Sequence, residues 1–220
     1  MSEPFTPDEV TDIWKMKRWI QSFAQGYNLP NDGIIAGGAF ASYVQDEVPK
    51  DFDIFFLNKS FVLPYDAPSG LVKSEYQTGN PHIVNVYNKE LNGINLQFIV
   101  TDYKTREELI AGFDFKHCTM SYAGDTLYLY ATPTAYRAAK TKTLIGNNKT
   151  INKWRIEKFM SRGYDWPKEE VKVIDTPNMN ALDSDAQNYT NVLKQSMKQS
   201  LAAIIQQTLK NYPPDNNTTK

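Results

Sequence analysis

The stretch of residues 33–57 constrains the fold of this chain more than any other part of its sequence. It predicts a short apolar strand, a turn at Gly37 and Gly38, a short helix, and a second apolar strand that carries Asp51 and Asp53. Glycine tolerates a positive φ and lets a ligand approach the bare backbone. Because successive N–H groups at a helix start attract anions, the Gly-Gly turn is a candidate site for a triphosphate.

The two aspartates form a candidate metal site. Asp51 and Asp53 are separated by one residue on the predicted strand, so both carboxylates leave the same face. Two like charges held this close require a cation between them, and hard oxygen ligands favour Mg²⁺. A phosphate-binding turn followed by a carboxylate pair indicates metal-dependent phosphoryl chemistry.

The order Gly-Gly, about a dozen residues, then Asp-x-Asp in a hydrophobic strand resembles the signature of the nucleotidyltransferase superfamily, which includes DNA polymerase beta and the CCA-adding enzymes. The resemblance covers residues 6–132. It implies an α+β fold in which a mixed sheet carries helices on one side. It also implies that Gly37 and Gly38 bind the nucleotide, that Asp51 and Asp53 hold Mg²⁺, and that an NMP is transferred from an NTP to an acceptor hydroxyl. The basic helices after Pro133 favour RNA, such as a tRNA end, as the acceptor, and a protein or a small molecule is the alternative.

A third carboxylate is usual on a later strand in that superfamily, and Gln97 stands where we expect it. An amide cannot bridge two cations or take up a proton as a carboxylate does. One interpretation is that Asp114 supplies the missing charge as a third catalytic and metal-binding residue, since a predicted strand over 113–122 would run parallel to the Gln97 strand after a helical crossover. The other is that the site binds a nucleotide without catalysis. We favour Asp114.

Two rival functions follow from these residues. A catalytically inactive protein of this fold would act as a nucleic-acid-binding or virion-associated module, and Gln97 motivates that alternative. A glycosyltransferase could use Asp-x-Asp for the metal of a nucleotide sugar, but its larger N-terminal half does not fit before Asp51. His117 and Cys118 are adjacent on the predicted strand and face opposite ways, which argues against a Cys–His catalytic pair.

Elsewhere in the first 132 residues, turn and cap signals predict the elements. Thr6 and Pro7 begin a helix. Strands over 82–87 and 94–100 flank Asn92 and Gly93, a hairpin signal.

From Pro133 the chain becomes basic, with helices predicted over 136–145 and 151–162. Lys140 and Lys142 are candidates for contact with the triphosphate. Aromatic residues interleave with the positive charges, which suits an RNA backbone, although a solvated helical face is the alternative. The residues expected to contact RNA are Arg137, Lys149, Lys153, Arg155, Lys158 and Arg162.

The 220 residues divide by composition into a nucleotidyltransferase-like core (1–132), a basic helical region (133–168), and an acidic linker with an amphipathic helix and a disordered tail (169–220). The last helix is a candidate surface for homo-oligomers. A net charge of −1 means that only a local patch would bind nucleic acid, and a single cysteine excludes disulfides within the chain. With no signal peptide or apolar span, we expect a cytoplasmic protein. The blocks at 113–118 and 158–164 also resemble a group of phage proteins, which implies the host cytoplasm.

Overall fold

The computed structural model describes residues 3–58, 71–74, 80–148, 150–167 and 171–174. Its helices are α1 (Pro7–Gly26), α2 (Gly38–Val44), α3 (Arg106–Ala111), α4 (Pro133–Lys140) and α5 (Lys153–Met160), with one 3-10 turn (Lys116–Cys118). Its strands are β1 (Ile34–Ala36), β2 (Asp51–Phe56), β3 (Val72–Lys73), β4 (Ile83–Leu91), β5 (Ile94–Thr101), β6 (Ser121–Ala123), β7 (Tyr128–Tyr130), β8 (Thr150–Asn152) and β9 (Lys172–Ile174). No helix among the described residues is both long and apolar enough to cross a lipid bilayer.

Seven strands form one mixed sheet in the order β3-β4-β5-β2-β1-β6-β7. The central pair β2 and β5 is parallel, and the other neighbours are antiparallel. A separate parallel pair joins β8 to β9. The predicted α+β class with a mixed sheet is therefore confirmed.

Helices α1, α2 and α4 cover one face of the sheet. Met16 and Ile20 of α1 and Tyr136 of α4 belong to the same buried cluster as Phe52 and Ile54 of β2. Alternation along β2 sends Phe55 to the opposite face, where it packs with neighbours that include Leu109 of the short helix α3. Asp51 and Asp53 share the face of Phe55.

An ion pair ties helix α1 to helix α4. The Thr6 side chain accepts from Glu9 N at 3.3 Å and the Glu9 carboxylate accepts from Thr6 N at 2.8 Å, forming the capping box of α1. The same carboxylate accepts hydrogen bonds from Nε and from a terminal nitrogen of Arg137, each at 2.8 Å. The predicted helix start is confirmed, and α4 packs against α1.

The strand predicted over 113–122 is wrong. Residues Lys116–Cys118 form a 3-10 turn, and β6 begins only at Ser121. The preceding backbone pairs with a loop instead, since Lys116 N donates to Ile145 O and Asn147 N donates to Asp114 O. Strand β6 then lies antiparallel to β1, so no strand carries Asp114 alongside β5.

Two predicted helices are shorter than expected. Helix α4 ends at Lys140, and Lys142 adopts a φ of +50°, which breaks the predicted helix over 136–145. Residues Thr150–Asn152 form β8 rather than the first turn of α5. The predicted amphipathic C-terminal helix, its oligomer surface and the tail lie outside the described residues.

Candidate active site

The aspartate pair stands at the start of β2, in the centre of the sheet. Register pairs Asp53 with Ala36 of β1 and with Gln97 of β5, and Asp51 with Asn95. Asp51 is exposed and Asp53 is half-buried. Burial, and after it the charge of Asp51, raises the pKa of Asp53 to about 7. Two adjacent oxygen donors that repel each other fit a hard divalent cation.

The Gly-Gly turn meets the aspartate pair directly. Gly37 lies between β1 and α2 with φ of 91° and ψ of −144°. A β-carbon added there would stand 3.0 Å from Asp53 Oδ2, whereas one added at Gly38 would meet nothing within 4 Å. The backbone of Gly37 and the carboxylate of Asp53 are thus in contact, and binding of a nucleotide by the turn stays a prediction.

A polar row crosses the sheet through Asp53. Asn88, Gln97, Asp53, Ala36 and Ser121 are successive register partners from β4 to β6, so their side chains share one face. Among the described residues, buried Asn88 Oδ1 and Ser121 Oγ have no hydrogen-bond partner. Gln97 is confirmed as the neighbour of Asp53 on the adjacent parallel strand, where an acid was expected.

Asp114 forms an ion pair with a residue of α5. Its Oδ2 accepts from Arg155 Nε at 2.7 Å, and both side chains are about three-quarters buried, at 28% and 25% exposure. Across the described ranges, no group of three or more His, Cys, Asp or Glu side chains converges to hold a metal. The proposed metal-binding role of Asp114 stays a prediction.

Helix α5 carries basic side chains whose charges act on the aspartates. Arg155 and Lys158 are three residues apart and share one side of the helix. Both charges act on Asp53, and lower its pKa against the effect of burial. Conversely, desolvation and then the charges of Arg155 and Arg162 lower the pKa of Lys158, while Asp51 and Asp53 raise it. The charges of Arg155 and Lys158 and those of the aspartates therefore influence each other.

The sequence predicts contact with RNA for these α5 residues and gives no indication that their charges act on the aspartates. The spacing of Arg155 and Lys158 on one helical face was the only sequence signal, and it does not say which element that face meets. Arg162 is exposed beyond the end of α5, with its guanidinium 5.6 Å from the Phe159 ring centroid.

The two lysines predicted to contact a triphosphate lie at the other end of α2. Lys140 Nζ donates to Val44 O at 3.4 Å, and Lys142 pairs with Glu47 at 2.7 Å. Gly37 precedes α2, and Val44 ends it. The structure thus does not bring Lys140 and Lys142 together with the Gly-Gly turn, and their contact with a nucleotide stays a prediction.

Two other residues that were predicted to contact RNA instead contact groups of the protein itself. Arg137 donates to Glu9 and to the Pro4 carbonyl, and Lys153 lies 3.9 Å from Glu157. Lys149 lies outside the described residues.

The buried neighbours His117 and Cys118 lie on the 3-10 turn Lys116–Cys118. Burial raises the pKa of the Cys118 thiol to about 12 and lowers the pKa of His117 to about 3. Neither ring nitrogen of His117 has a hydrogen-bond partner among the described residues. A protonated thiol and an unpartnered imidazole do not form a nucleophile and its base.

Solved structures of CCA-adding enzymes are similar to this chain at low identity. The Thermotoga maritima enzyme complexed with tRNA is 16% identical over 79% of this chain and 41% of its own, with a TM-score of 0.43. The Bacillus stearothermophilus enzyme in complex with CTP is 13% identical over 76% of this chain and 42% of its own, with a TM-score of 0.44. The chain thus spans about two fifths of the length of these enzymes. No protein with a curated description matches it.

A family model matches residues 14–142, from the first helix through the Gly-Gly turn, the aspartate pair and α4. Its description is Gad2, Gabija anti-defense 2 family protein. This match covers more than half of the sequence, and the chain therefore belongs to the Gabija anti-defense 2 family.

Proposed function

We propose that this chain is a Mg²⁺-dependent nucleotidyltransferase. An acceptor hydroxyl attacks the α-phosphorus of an NTP, a new phosphorus–oxygen bond forms, and the bond to pyrophosphate breaks. One carboxylate of the Asp51–Asp53 pair takes up the proton that the hydroxyl loses. The observation that carries the proposal is the contact between the Asp53 carboxylate and the Gly37 backbone, because it joins a cation site to an anion site.

Within this site, Asp51 and Asp53 would hold the cation. When bound, Mg²⁺ neutralises phosphate charge and polarises the reacting phosphate. The open backbone at Gly37 and Gly38 lets phosphate oxygens approach, since no β-carbon stands in the way. Asp51 is exposed, so the pair is accessible from solvent.

We propose RNA, with a tRNA end favoured, as the acceptor. The support is the basic, aromatic character of α5 and the residues after it, where the Arg162 guanidinium lies 5.6 Å from the ring centroid of Phe159, within cation–π range. The family description adds a biological setting: the transfer would counteract Gabija defence in the cytoplasm of a phage host.

Incubation with each α-labelled NTP, Mg²⁺ and tRNA tests the reaction. We expect label in the RNA with wild type, and none with D53N or with EDTA. D46N is the matched control because Asp46 is an exposed aspartate at the other end of α2. Mg²⁺ and NTP at a hundred times Kd should raise the free energy of unfolding, measured by thermal denaturation, by about 2.7 kcal/mol. Absence of both labelling and Mg²⁺-dependent stabilisation with every NTP would overturn the proposal.

The second candidate is an inactive member of the same fold that acts by binding. The amide of Gln97 beside Asp53, where the superfamily resemblance leads us to expect an acid, favours it. Phage challenge of cells that express Gabija separates the two functions. If wild type protects the phage from Gabija and D53N does not, the enzyme is supported. If D53N protects the phage as fully as wild type, the binding module is supported.

A further inference from the structure

Hydrogen bonds to the loop at residues 145–147 hold the backbone around Asp114. Its carbonyl accepts from Asn147 N at 2.8 Å, and the next residue, Phe115, bridges to Gly146. The side-chain amide of Asn147 donates back to the Phe113 carbonyl at 2.9 Å. The Asp114 carboxylate is thus presented from an ordered turn, and a charged group bound to it takes a defined position.

Arg155 is the group bound to it. Its Nε donates to Asp114 Oδ2 at 2.7 Å, and its guanidinium lies 5.5 Å from the ring centroid of Phe159. The contact with Asp114 uses Nε alone. Within the part of the chain that the structure describes, the terminal nitrogens of Arg155 make no hydrogen bond. A guanidinium oriented in this way has a planar fork for phosphate oxygens.

Lys158 adds a second positive charge on the same side of α5. It is exposed. The ring of Phe113, next to Asp114, packs 5.7 Å from the ring of Phe55, on the face of β2 that also carries Asp51 and Asp53. The site therefore has an acidic half, Asp51 and Asp53, and a basic half, Arg155 and Lys158. A cation on the first half and a polyanion on the second would neutralise each other.

We propose that Arg155 and Lys158 bind the triphosphate of the incoming nucleotide, and that Asp114 is a positioning residue that orients Arg155 rather than a metal ligand. The inference rests on the proposed function for the identity of the nucleotide. Asp114 is not expected to act as the third metal-binding carboxylate, because a guanidinium already occupies its Oδ2 and the charge of that guanidinium repels a second cation.

Calorimetric titration with inorganic triphosphate in EDTA tests the basic half without metal or acceptor. We expect R155Q and K158Q each to weaken binding about tenfold to a hundredfold, the usual effect of losing a hydrogen bond between charged groups. R18Q is the matched control, since Arg18 is exposed on α1, across the sheet. D53N should bind triphosphate at least as tightly as wild type, because a nearby negative charge is removed. Equal binding by wild type and R155Q, with their folding unchanged, would overturn the inference.

A double-mutant cycle tests the positioning role. D114N should weaken triphosphate binding, and D114N/R155Q should be no weaker than R155Q alone, because Asp114 acts through Arg155. Thermal unfolding of each variant checks that the fold persists. Mn²⁺ binding, followed by electron paramagnetic resonance, should survive D114N and fail in D53N; loss of Mn²⁺ from D114N would identify Asp114 as a metal ligand and overturn its assignment.

The two proposals fail separately. Triphosphate binding that depends on Arg155, without NMP transfer to any acceptor, keeps the inference and overturns the enzyme. Transfer that is unaffected by R155Q and K158Q keeps the enzyme and overturns the inference.

Discussion

The Asp53 carboxylate lies against the backbone of Gly37, so closely that a β-carbon on Gly37 would stand 3.0 Å from Oδ2. The φ of 91° and ψ of −144° at Gly37 belong to a region that only glycine readily occupies. The turn and the acidic pair therefore constrain each other.

Replacing Gly37 by alanine should cost about 1–3 kcal/mol of stability through backbone strain. It should also displace the Asp53 carboxylate and weaken Mg²⁺-dependent NTP binding. G38A is the matched control, since a β-carbon at Gly38 has open space. Chemical denaturation and NTP titration of both variants check this, and equal behaviour of G37A and G38A would contradict it.

Gln97→Glu should place a third carboxylate beside Asp53. Without metal, like-charge repulsion should lower stability; with Mg²⁺, the added ligand should tighten binding of the cation. Thermal unfolding across a Mg²⁺ series measures both effects. Q97L controls for the loss of the amide. A Q97E protein that is no more responsive to Mg²⁺ than wild type would show that no cation lies within reach of residue 97.

His117→Phe should be neutral or stabilising by up to about 1–3 kcal/mol at pH 7, because an unpartnered buried imidazole is replaced by a ring of similar shape. The surroundings are aromatic, with ring centroids of Tyr164 and Phe159 at 4.5 Å and 4.6 Å. H117A should instead lose about 2–4 kcal/mol by leaving a cavity. Urea unfolding of wild type, H117F and H117A gives the order of their free energies of unfolding. A strongly destabilised H117F would show that the imidazole makes a polar contact in the folded protein.

The same histidine predicts a pH dependence. Its pKa is about 3 in the folded protein, against 6.5 ordinarily, so between these values the unfolded chain binds a proton that the folded chain does not. Stability should therefore fall as the pH drops below 6.5, and H117F should remove part of that fall. Urea midpoints at pH 7.5 and pH 5 measure the difference; parallel losses in both proteins would contradict it.

Glu9 should make the stability of the fold depend on pH in a more acidic range than His117 does. Its hydrogen bonds to Arg137, and then to the Thr6 backbone, lower its pKa from 4.5 to about 2. This contribution to stability is complete above pH 4.5 and is lost as the pH falls toward 2. E9Q should be less stable than wild type at pH 7 and should lose less between pH 5 and pH 2.5. D8N, at an exposed acid of the same helical turn, is the control.

Local patterns predicted the parts of the fold that depend on neighbouring residues. Helix α1 begins at its capping box, and the hairpin turns at Asn92 and Gly93, which have φ of 53° and 77°. Strand β4 extends beyond the predicted 82–87 because Asn88, Lys89 and Glu90 pair with β5 despite their polarity.

The wrong predictions concern segments whose structure depends on contacts between residues far apart in the sequence. Phe113, Asp114 and Phe115 alternate as in a strand, yet their backbone pairs with the loop at residues 145–147. The approach of α5 to Asp53 could not be predicted either, since charge spacing within a helix does not identify the surface that the helix meets. The aspartate pair and its Gly-Gly turn needed no such information, because a short segment contains both.

The ion pair between Glu9 and Arg137 joins positions 128 residues apart. Translation at about 5–20 residues per second puts roughly ten seconds between the emergence of the two partners from the ribosome. During that interval the apolar side of α1, including Met16 and Ile20, lacks the α4 surface that covers part of it in the folded protein. Helix α1 therefore completes its packing only after Arg137 and the rest of α4 have been made.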